Sequence, residues 1–223
     1  MDTLTKREKL ALAVVMGIMA LICVGALVWG WVSAGGDTAG TAMEYKAKLF
    51  DTSAPLTVDI LMDEAAWEEM LANAADEVYR TCDVVINGET FRGVGIRPKG
   101  NTSLSSIAMN PDTDRFSFKL EFDHFVSGQT CWGLDKLALN NSFADATNMK
   151  EALVYDMYRF LEGDASLYNY AVLSVNGTYW GVYLALEAVE DSFMLRNYGV
   201  QNGDLYKPDS MNFGGRDDAA GES

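Results

Sequence analysis

Histidine and cysteine are scarce in this sequence, and their scarcity argues against several classes of site. The only histidine among 223 residues is His124, so a catalytic triad or a metal site that depends on histidine is not expected. The three cysteines form no Cys-x-x-Cys pair and no cluster with histidine. Cys23 falls in an apolar N-terminal run. Cys82 and Cys131 either form a disulfide, if the domain faces an oxidising space, or remain buried free thiols.

Positive charge is also in short supply. The chain has 17 lysines and arginines against 32 acidic residues, and its formal net charge is −15. Such a surface repels the phosphates of nucleic acid, so we expect no nucleic-acid partner. Hydrophobic residues make up 49% of the chain, which is enough for a sizeable core in one or two domains.

Charge is absent altogether from Leu10 to Val32. This run is long enough for the roughly 20 apolar residues that a transmembrane helix needs. Lys6, Arg7 and Lys9 precede it, which predicts a cytoplasmic N-terminus and an extracellular domain. A cleaved signal peptide is the alternative, with Val32 to Ala34 as a cleavage site. We favour an uncleaved anchor, because the run is longer than the roughly 7–15 apolar residues that are usual in a signal peptide.

The composition changes along the chain divide it into five segments. Gly, Ala, Ser and Thr dominate after the apolar run, which is typical of a flexible linker, and the end of the chain has no hydrophobic periodicity. The predicted segments are a cytoplasmic basic tail (1–9), a transmembrane anchor (10–32), a linker (33–45), a folded domain (46–210) and a flexible tail (211–223).

Within the domain, local signals predict alternating strands and helices. Asn87-Gly88 and Asn176-Gly177 each separate two apolar runs, as in a β-hairpin. Asp63 can cap a helix whose Trp67 faces a core. Arg115 to Phe122 alternates apolar and polar residues, which predicts a strand with one buried face.

The clearest helix runs from Asp145 to Gly163. Its apolar stripe should be buried and consists of Met149, Leu153, Met157, Phe160 and Leu161. Lys150 falls inside that stripe, where it either snorkels or reaches a carboxylate or phosphate. Glu151 and Asp156 flank the stripe.

The stretch from Gly93 to Ser106 has the composition of an anion site. A strand end is followed by Arg97, Pro98, Lys99 and a run of small hydroxyl and amide residues. Exposed backbone N–H groups and two cations suit a phosphate. A polar hairpin loop with two solvated cations has the same composition.

Several motifs, taken in order, resemble the CotH family of kinase-like proteins first associated with bacterial spore coats. They are Arg97 to Ser103, Arg115 to Phe122, Lys136 to Asn141, Asn176 to Glu187 and Gly203 to Pro208. The resemblance covers Leu56 to Gly215. It implies an α+β, kinase-like fold, an antiparallel sheet with packed helices that forms mostly the N-lobe and hinge region. It also implies binding of ATP with Mg²⁺ or Mn²⁺.

The resemblance also implies which residues bind the nucleotide. They are Arg97, Lys99, Gly100, Asn101, Thr102, Ser103, Lys119, Lys150, Glu151 and Glu187. Lys119 stands on a strand after the glycine-containing loop, in the order in which kinases place their phosphate-binding lysine. Its expected partner is an acid on the predicted helix, Glu151 or Asp156. Ala185 to Val189 would form the hinge along the adenine base.

The function implied is phosphoryl transfer from ATP to serine or threonine of extracellular, spore-coat-like proteins. The metal-binding and catalytic aspartates of this family are expected beyond Ser223, so no catalytic residue and no metal ligand is assigned here, and this chain is expected to be inactive alone. The alternative is a non-catalytic, pseudokinase-like surface module that binds proteins.

Overall fold

The computed structural model describes residues 6–7, 16–25, 43–200 and 204–206. Contacts divide the chain into two units, Met1–Ala39 and Gly40–Ser223. In the first unit, residues 16–25 are helical. No helix in the described part of the chain is long and apolar enough to cross a bilayer. The remainder of the predicted anchor, the linker up to residue 42 and the predicted tail lie outside the described residues.

The second unit is a mixed α+β domain. Its helices are α1 (Glu44–Leu49), α2 (Glu64–Ala72), α3 (Thr102–Ala108), α4 (Lys150–Phe160) and α5 (Asp191–Tyr198), with a 3-10 turn at Ala74–Asp76. Its strands are β1 (Leu56–Leu61), β2 (Arg80–Ile86), β3 (Glu89–Lys99), β4 (Ser117–Glu121), β5 (Lys136–Asn140), β6 (Tyr168–Val175) and β7 (Thr178–Glu187). Helix α1 begins at Glu44, slightly before the predicted domain start at residue 46.

The seven strands close into a barrel in the order β1-β2-β3-β4-β5-β7-β6. Six neighbouring pairs are antiparallel, but β1 runs parallel to β6, with Leu56 opposite Ala171 and Ile60 opposite Val175. The prediction of an antiparallel sheet is therefore corrected at this closure. The sequence does not signal this parallel pairing, because β1 and β6 are far apart in the chain and no turn joins them.

Alternating side chains of the strands fill the barrel, as expected for a small barrel whose interior is a packed core. Large side chains with almost no exposure include Leu56, Ile60, Ile86, Ile96, Phe118, Leu120, Leu137 and Tyr183. Helix α2 packs onto this core through Trp67, whose ring lies 5.2 Å from that of Phe118 between centroids. Asp63 caps α2 by accepting a hydrogen bond from the amide of Ala66 at 3.0 Å. The predicted cap and the predicted buried face of α2 are confirmed.

Both Asn-Gly pairs form the predicted hairpin turns. Asn87 and Gly88 have φ of +49° and +86°, and Asn176 and Gly177 have φ of +50° and +77°. Positive φ at both central residues belongs to the type I′ turn, which matches the twist of the flanking strands. Asn-Gly is therefore the local signal that predicts the hairpins β2–β3 and β6–β7.

Helix α4 departs from its prediction in two respects. It spans Lys150–Phe160 rather than Asp145 to Gly163. Residues 146–147 form a turn and residue 148 a bend, and the Asp145 carboxylate accepts from the amide of Lys150 at 2.8 Å. The predicted apolar stripe is exposed, and Phe160 and Leu161 are 87% and 72% accessible. The side of α4 that packs on the barrel instead presents Ala152 and Tyr155 to Leu184 and other residues of the outer barrel wall.

Cys82 and Cys131 are both buried, and neither forms a disulfide. Burial raises the pKa of the Cys82 thiol to about 12 and also raises the pKa of the Cys131 thiol. Of the two alternatives left open by the sequence, the structure has the buried free thiols.

Candidate nucleotide site

The outer wall of β3, β4 and β5 is rich in charge. Outward-facing positions of these strands alternate with core positions, as the period of two requires. In register, Arg97 on β3 lies opposite Lys119 on β4, and Lys119 lies opposite Ala138 on β5. The outward-facing polar residues are Arg97, Lys99, Ser117, Lys119, Glu121, Lys136 and Asn140.

A cavity of about 550 Å³ opens on this wall, where β3, β4 and β5 meet the start of α4. Its volume lies within the range of small-molecule pockets, roughly 300–1,000 Å³. We call it the Lys99 cavity. It is lined by Lys99, Gly100, Ser103, Ser117, Asn140, Asn141, Ser142, Phe143, Asp145, Lys150, Glu151, Val154, Tyr155 and Tyr158.

Lys99 is held in this cavity by an asparagine. Its Nζ donates to Oδ1 of Asn140 at 2.8 Å, and Nδ2 of the same amide donates to Oε1 of Glu151 at 2.7 Å. Burial lowers the pKa of the Lys99 ammonium, against the opposing pull of Glu151. Burial also raises the pKa of the Glu151 carboxyl, against its hydrogen bond with Asn140. The two charges are thus coupled through one amide rather than by direct contact.

The turn after Lys99 brings the backbone close to the cavity. Gly100 has φ of +132°, and a Cβ at this position would lie 2.6 Å from Oγ of Ser103. Only glycine fits that approach without moving Ser103. Ser103 itself lines the cavity. Gly100 and Ser103 of the predicted phosphate loop therefore line the same cavity as Lys99, which precedes them in the chain.

Lys119, the lysine predicted to pair with an acid of the helix, points elsewhere. Its Nζ donates to Oε1 of Glu190 at 3.0 Å, and it does not line the Lys99 cavity. The strand register explains the difference. Lys119 is two residues, about 7 Å, further along β4 than Ser117, which is the partner of Lys99. Lys99 is therefore the lysine that lies nearer the start of α4.

The other predicted helix acid, Asp156, also has a different partner. It forms a hydrogen bond with Arg159 on the same helix. Glu190 lies between β7 and α5, and it contacts Lys136 as well as Lys119, with its Oε2 3.5 Å from the Lys136 Nζ. The outer wall therefore holds two separate polar groups, one around Lys99 and one around Glu190.

Glu187 is not at the cavity but inside the domain. Only 1% of it is exposed, and its carboxylate accepts hydrogen bonds from Tyr45, Arg196 and the amide of Leu167. The neighbouring predicted hinge residues, Ala185 and Leu186, are buried and paired with both β5 and β6. In the structure Glu187, on β7, is bonded to Tyr45 of α1 and to Arg196 of α5. The backbone of Ala185 and Leu186 is already paired with the neighbouring strands.

The remaining predicted residues divide in the same way. Lys150 lines the cavity. Arg97 donates hydrogen bonds to the Glu77 carboxylate and the Pro98 carbonyl, and its guanidinium lies over the Tyr79 ring. It therefore contacts these residues rather than the cavity. Asn101 and Thr102 are exposed and are not cavity residues. Of the ten predicted residues, the cavity brings together Lys99, Gly100, Ser103, Lys150 and Glu151.

Asn140, Asn141 and the aromatic residues of the cavity were missed by sequence reasoning. The Asn140-Asn141 pair stood within a family motif but carried no assigned role. Asn141 holds the following loop, since it accepts from the Phe143 amide at 3.1 Å and donates to the Arg115 carbonyl. Phe143, Tyr155 and Tyr158 add apolar walls, which a phosphate loop alone does not predict.

The arrangement suits an anion that carries an apolar or aromatic part. Lys99, Lys150 and the hydroxyl of Ser103 lie around the cavity together with aromatic side chains and the carboxylates of Asp145 and Glu151. Within the described ranges, no group of three or more His, Cys, Asp or Glu side chains is placed to hold a metal ion.

The family model for CotH kinase protein matches residues 96–222, somewhat more than half of the 223 residues. The match begins near the end of β3, later than the start at Leu56 suggested by the motifs. Comparison with curated proteins finds no match.

Proposed function

Because the chain belongs to the CotH kinase family, we propose that its barrel domain binds the phosphates of ATP, with Mg²⁺ or Mn²⁺, in the Lys99 cavity. The observation that carries the proposal is the partly buried Lys99 ammonium, fixed by Asn140 beside the tight turn at Gly100. Phosphate binding needs a fixed cation and close backbone approach, and both meet here.

The residues of the cavity fit this ligand. Lys99 and Lys150 supply positive charge, Ser103 supplies a hydroxyl donor, and Tyr155 and Tyr158 offer surfaces for the base. When bound, ATP supplies the phosphoryl group and the metal ion neutralises its charge. The proposed role of this chain is to bind and orient the phosphates. In the kinase-like fold, the barrel would be the half that holds the nucleotide.

The protein that contains this domain is proposed to be a membrane-anchored, atypical protein kinase. It would transfer phosphate to serine or threonine of extracellular or surface proteins, as in a spore coat. The anchor and the outward orientation rest on the uncharged run from Leu10 to Val32 and on the three basic residues before it. A C-terminal reporter that is active only in the cytoplasm should stay silent, and a signal from it would contradict this topology.

Nucleotide binding is tested by thermal unfolding of the full chain with ATP and Mn²⁺. A ligand at 100 times its Kd stabilises by about 2.7 kcal/mol. Lys99→Ala removes a charged donor worth about 1.5–3 kcal/mol, so we expect at least tenfold weaker binding. Lys46→Ala, an exposed lysine on α1, is the matched control and should bind as the wild type does. Equal stabilisation of wild type and Lys99→Ala would place the phosphates elsewhere.

Phosphoryl transfer is tested separately with labelled ATP on the membrane-anchored protein that contains this domain, because this chain alone is expected to be inactive. Lys119→Ala tests the lysine that the sequence favours, and Lys99→Ala tests the one that lines the cavity. We expect any incorporation of label to be lost in Lys99→Ala. Loss in Lys119→Ala alone would favour the sequence-based assignment over the cavity.

A non-catalytic binding module is the second candidate. It is favoured by the exposed apolar face of α4, where Leu153, Met157, Phe160 and Leu161 border a second cavity of about 470 Å³. Contiguous exposed apolar surface is typical of protein-binding sites. Absence of any thermal shift with ATP and Mn²⁺, together with protein binding that Phe160→Ser abolishes, would favour this function.

A further inference from the structure

Asn140 lies between Lys99 and Glu151 and forms a hydrogen bond with each. A lysine can only donate hydrogen bonds, and an ionised glutamate can only accept them. The amide satisfies both at once, with its oxygen toward Lys99 and its nitrogen toward Glu151. These partners allow one orientation of the amide, because the flipped orientation would face Lys99 with a donor and Glu151 with an acceptor.

We propose that Asn140 is a positioning residue that keeps Lys99 and Glu151 apart, so that the Lys99 ammonium stays available to an anion in the cavity. A direct Lys99–Glu151 contact would neutralise the ammonium and leave less charge for a ligand. The amide holds the ammonium in place without neutralising it. The role toward the anion rests on the proposed function, but the coupling of the two groups does not.

The surroundings of Lys99 make its charge sensitive to this amide. Burial lowers the pKa of the ammonium, Glu151 and Glu77 raise it, and Arg97 and Lys119 lower it further. These charges come from β3, β4, α4 and the turn before β2. On the far side, Glu151 faces Tyr155 of its own helix as well as Lys99. Asn140 is the neutral group that lies at hydrogen-bond distance from both Lys99 and Glu151.

The neighbouring Asn141 provides the control. It lines the same cavity, but its hydrogen bonds go to Ser117, Arg115 and Phe143 rather than to Lys99 or Glu151. Replacement of either asparagine by leucine keeps the side-chain size and removes the amide. A purely structural role would lower stability in both variants without changing how Lys99 titrates.

The experiment follows the titration of Lys99 in the full chain by NMR of ¹³C-labelled lysine, with Lys99→Arg to assign the signal. We expect Asn140→Asp to move the titration to higher pH, because a carboxylate then faces the ammonium. Asn140→Leu should move it to lower pH, because leucine still fills the space between Lys99 and Glu151 but gives the partly buried ammonium no acceptor. Asn141→Leu should leave it in place. An unchanged titration in both Asn140 variants, or an equal change in Asn141→Leu, would overturn the proposal.

ATP binding gives the second readout. If wild type binds ATP, Asn140→Asp should bind at least about tenfold more weakly, since the added carboxylate competes for Lys99. Unchanged affinity would overturn the role toward the anion. If wild type binds no ATP while the titration moves as expected, the proposed function fails and the coupling through Asn140 stands.

Discussion

Strand β4 and helix α4 each carry an apolar stripe, and the two stripes are buried to opposite extents. On and beside β4, Phe116, Phe118, Leu120 and Phe122 are all almost inaccessible. On α4, the apolar stripe is at least half exposed along its length. Periodicity therefore identifies an apolar face, but it does not show that the same domain covers it. The barrel covers the stripe of β4, and α4 turns its small residue, Ala152, toward the barrel instead.

The largest effect on the free energy of unfolding should come from the buried stripe of β4. Phe118 lies inside the barrel against Trp67 and Tyr183. Phe118→Ala should lower the free energy of unfolding by about 3–5 kcal/mol, through lost burial and the cavity left behind. Denaturant unfolding of the full chain measures it. A loss no larger than that of a surface substitution would mean that the two stripes do not differ as described.

A smaller effect is expected from one polar contact beside the β4 stripe. Tyr183 donates its hydroxyl to the Phe116 carbonyl at 3.0 Å in the buried interior. Tyr183→Phe keeps the ring and leaves that carbonyl without its donor, at a cost of about 1–3 kcal/mol. The same unfolding measurement detects it. Tyr179→Phe, at an exposed position on the same strand, is the control and should be neutral.

The barrel-facing side of α4 predicts a dependence on pH. Burial raises the pKa of Glu151 above its ordinary value of 4.5. The unfolded chain ionises this group first, so its contribution to stability falls as pH rises from 4.5 through the raised pKa. Glu151→Gln removes the effect and can still accept from Asn140. The variant should therefore gain stability relative to wild type as the pH of the unfolding measurement is raised from about 4 to about 7. A difference that stays constant over this range would contradict the sign.

The smallest effect on stability should come from the exposed stripe. Phe160 is among the most accessible apolar side chains described, so Phe160→Ala should change the free energy of unfolding by no more than about 0.5 kcal/mol. Association is the sharper measurement. Phe160→Ser should lower any tendency of the chain to self-associate in light scattering, whereas exposed Tyr179→Ser should not. A large loss of stability would show that α4 is covered after all.

Local chemistry in the sequence predicted the elements, and long-range contacts decided the site. Asn87-Gly88, the Asp63 cap and the alternation along β4 each depend on neighbours in sequence, so they were predictable. The partner of Lys119 was not, because it depends on the register of three strands and on the position of Glu190 beyond β7. The link between Lys99 and Glu151 was not predictable either, because it runs through Asn140, which lies on a third element. The exposure of the α4 stripe likewise depends on which side of the helix the barrel contacts.

The parallel closure of the barrel has a consequence for how the domain folds. The side chain of Asn169, at the start of β6, donates to the carbonyls of Leu49, Asp51 and Ala54, which are 115 to 120 residues earlier in the chain. Until β6 has been synthesised, one edge of β1 has no partner, and an unpaired edge can recruit another chain. At roughly 5–20 residues per second, that interval lasts on the order of ten seconds. Co-translational folding of this domain should therefore finish late, and nascent chains stalled before β6 should be its most aggregation-prone form.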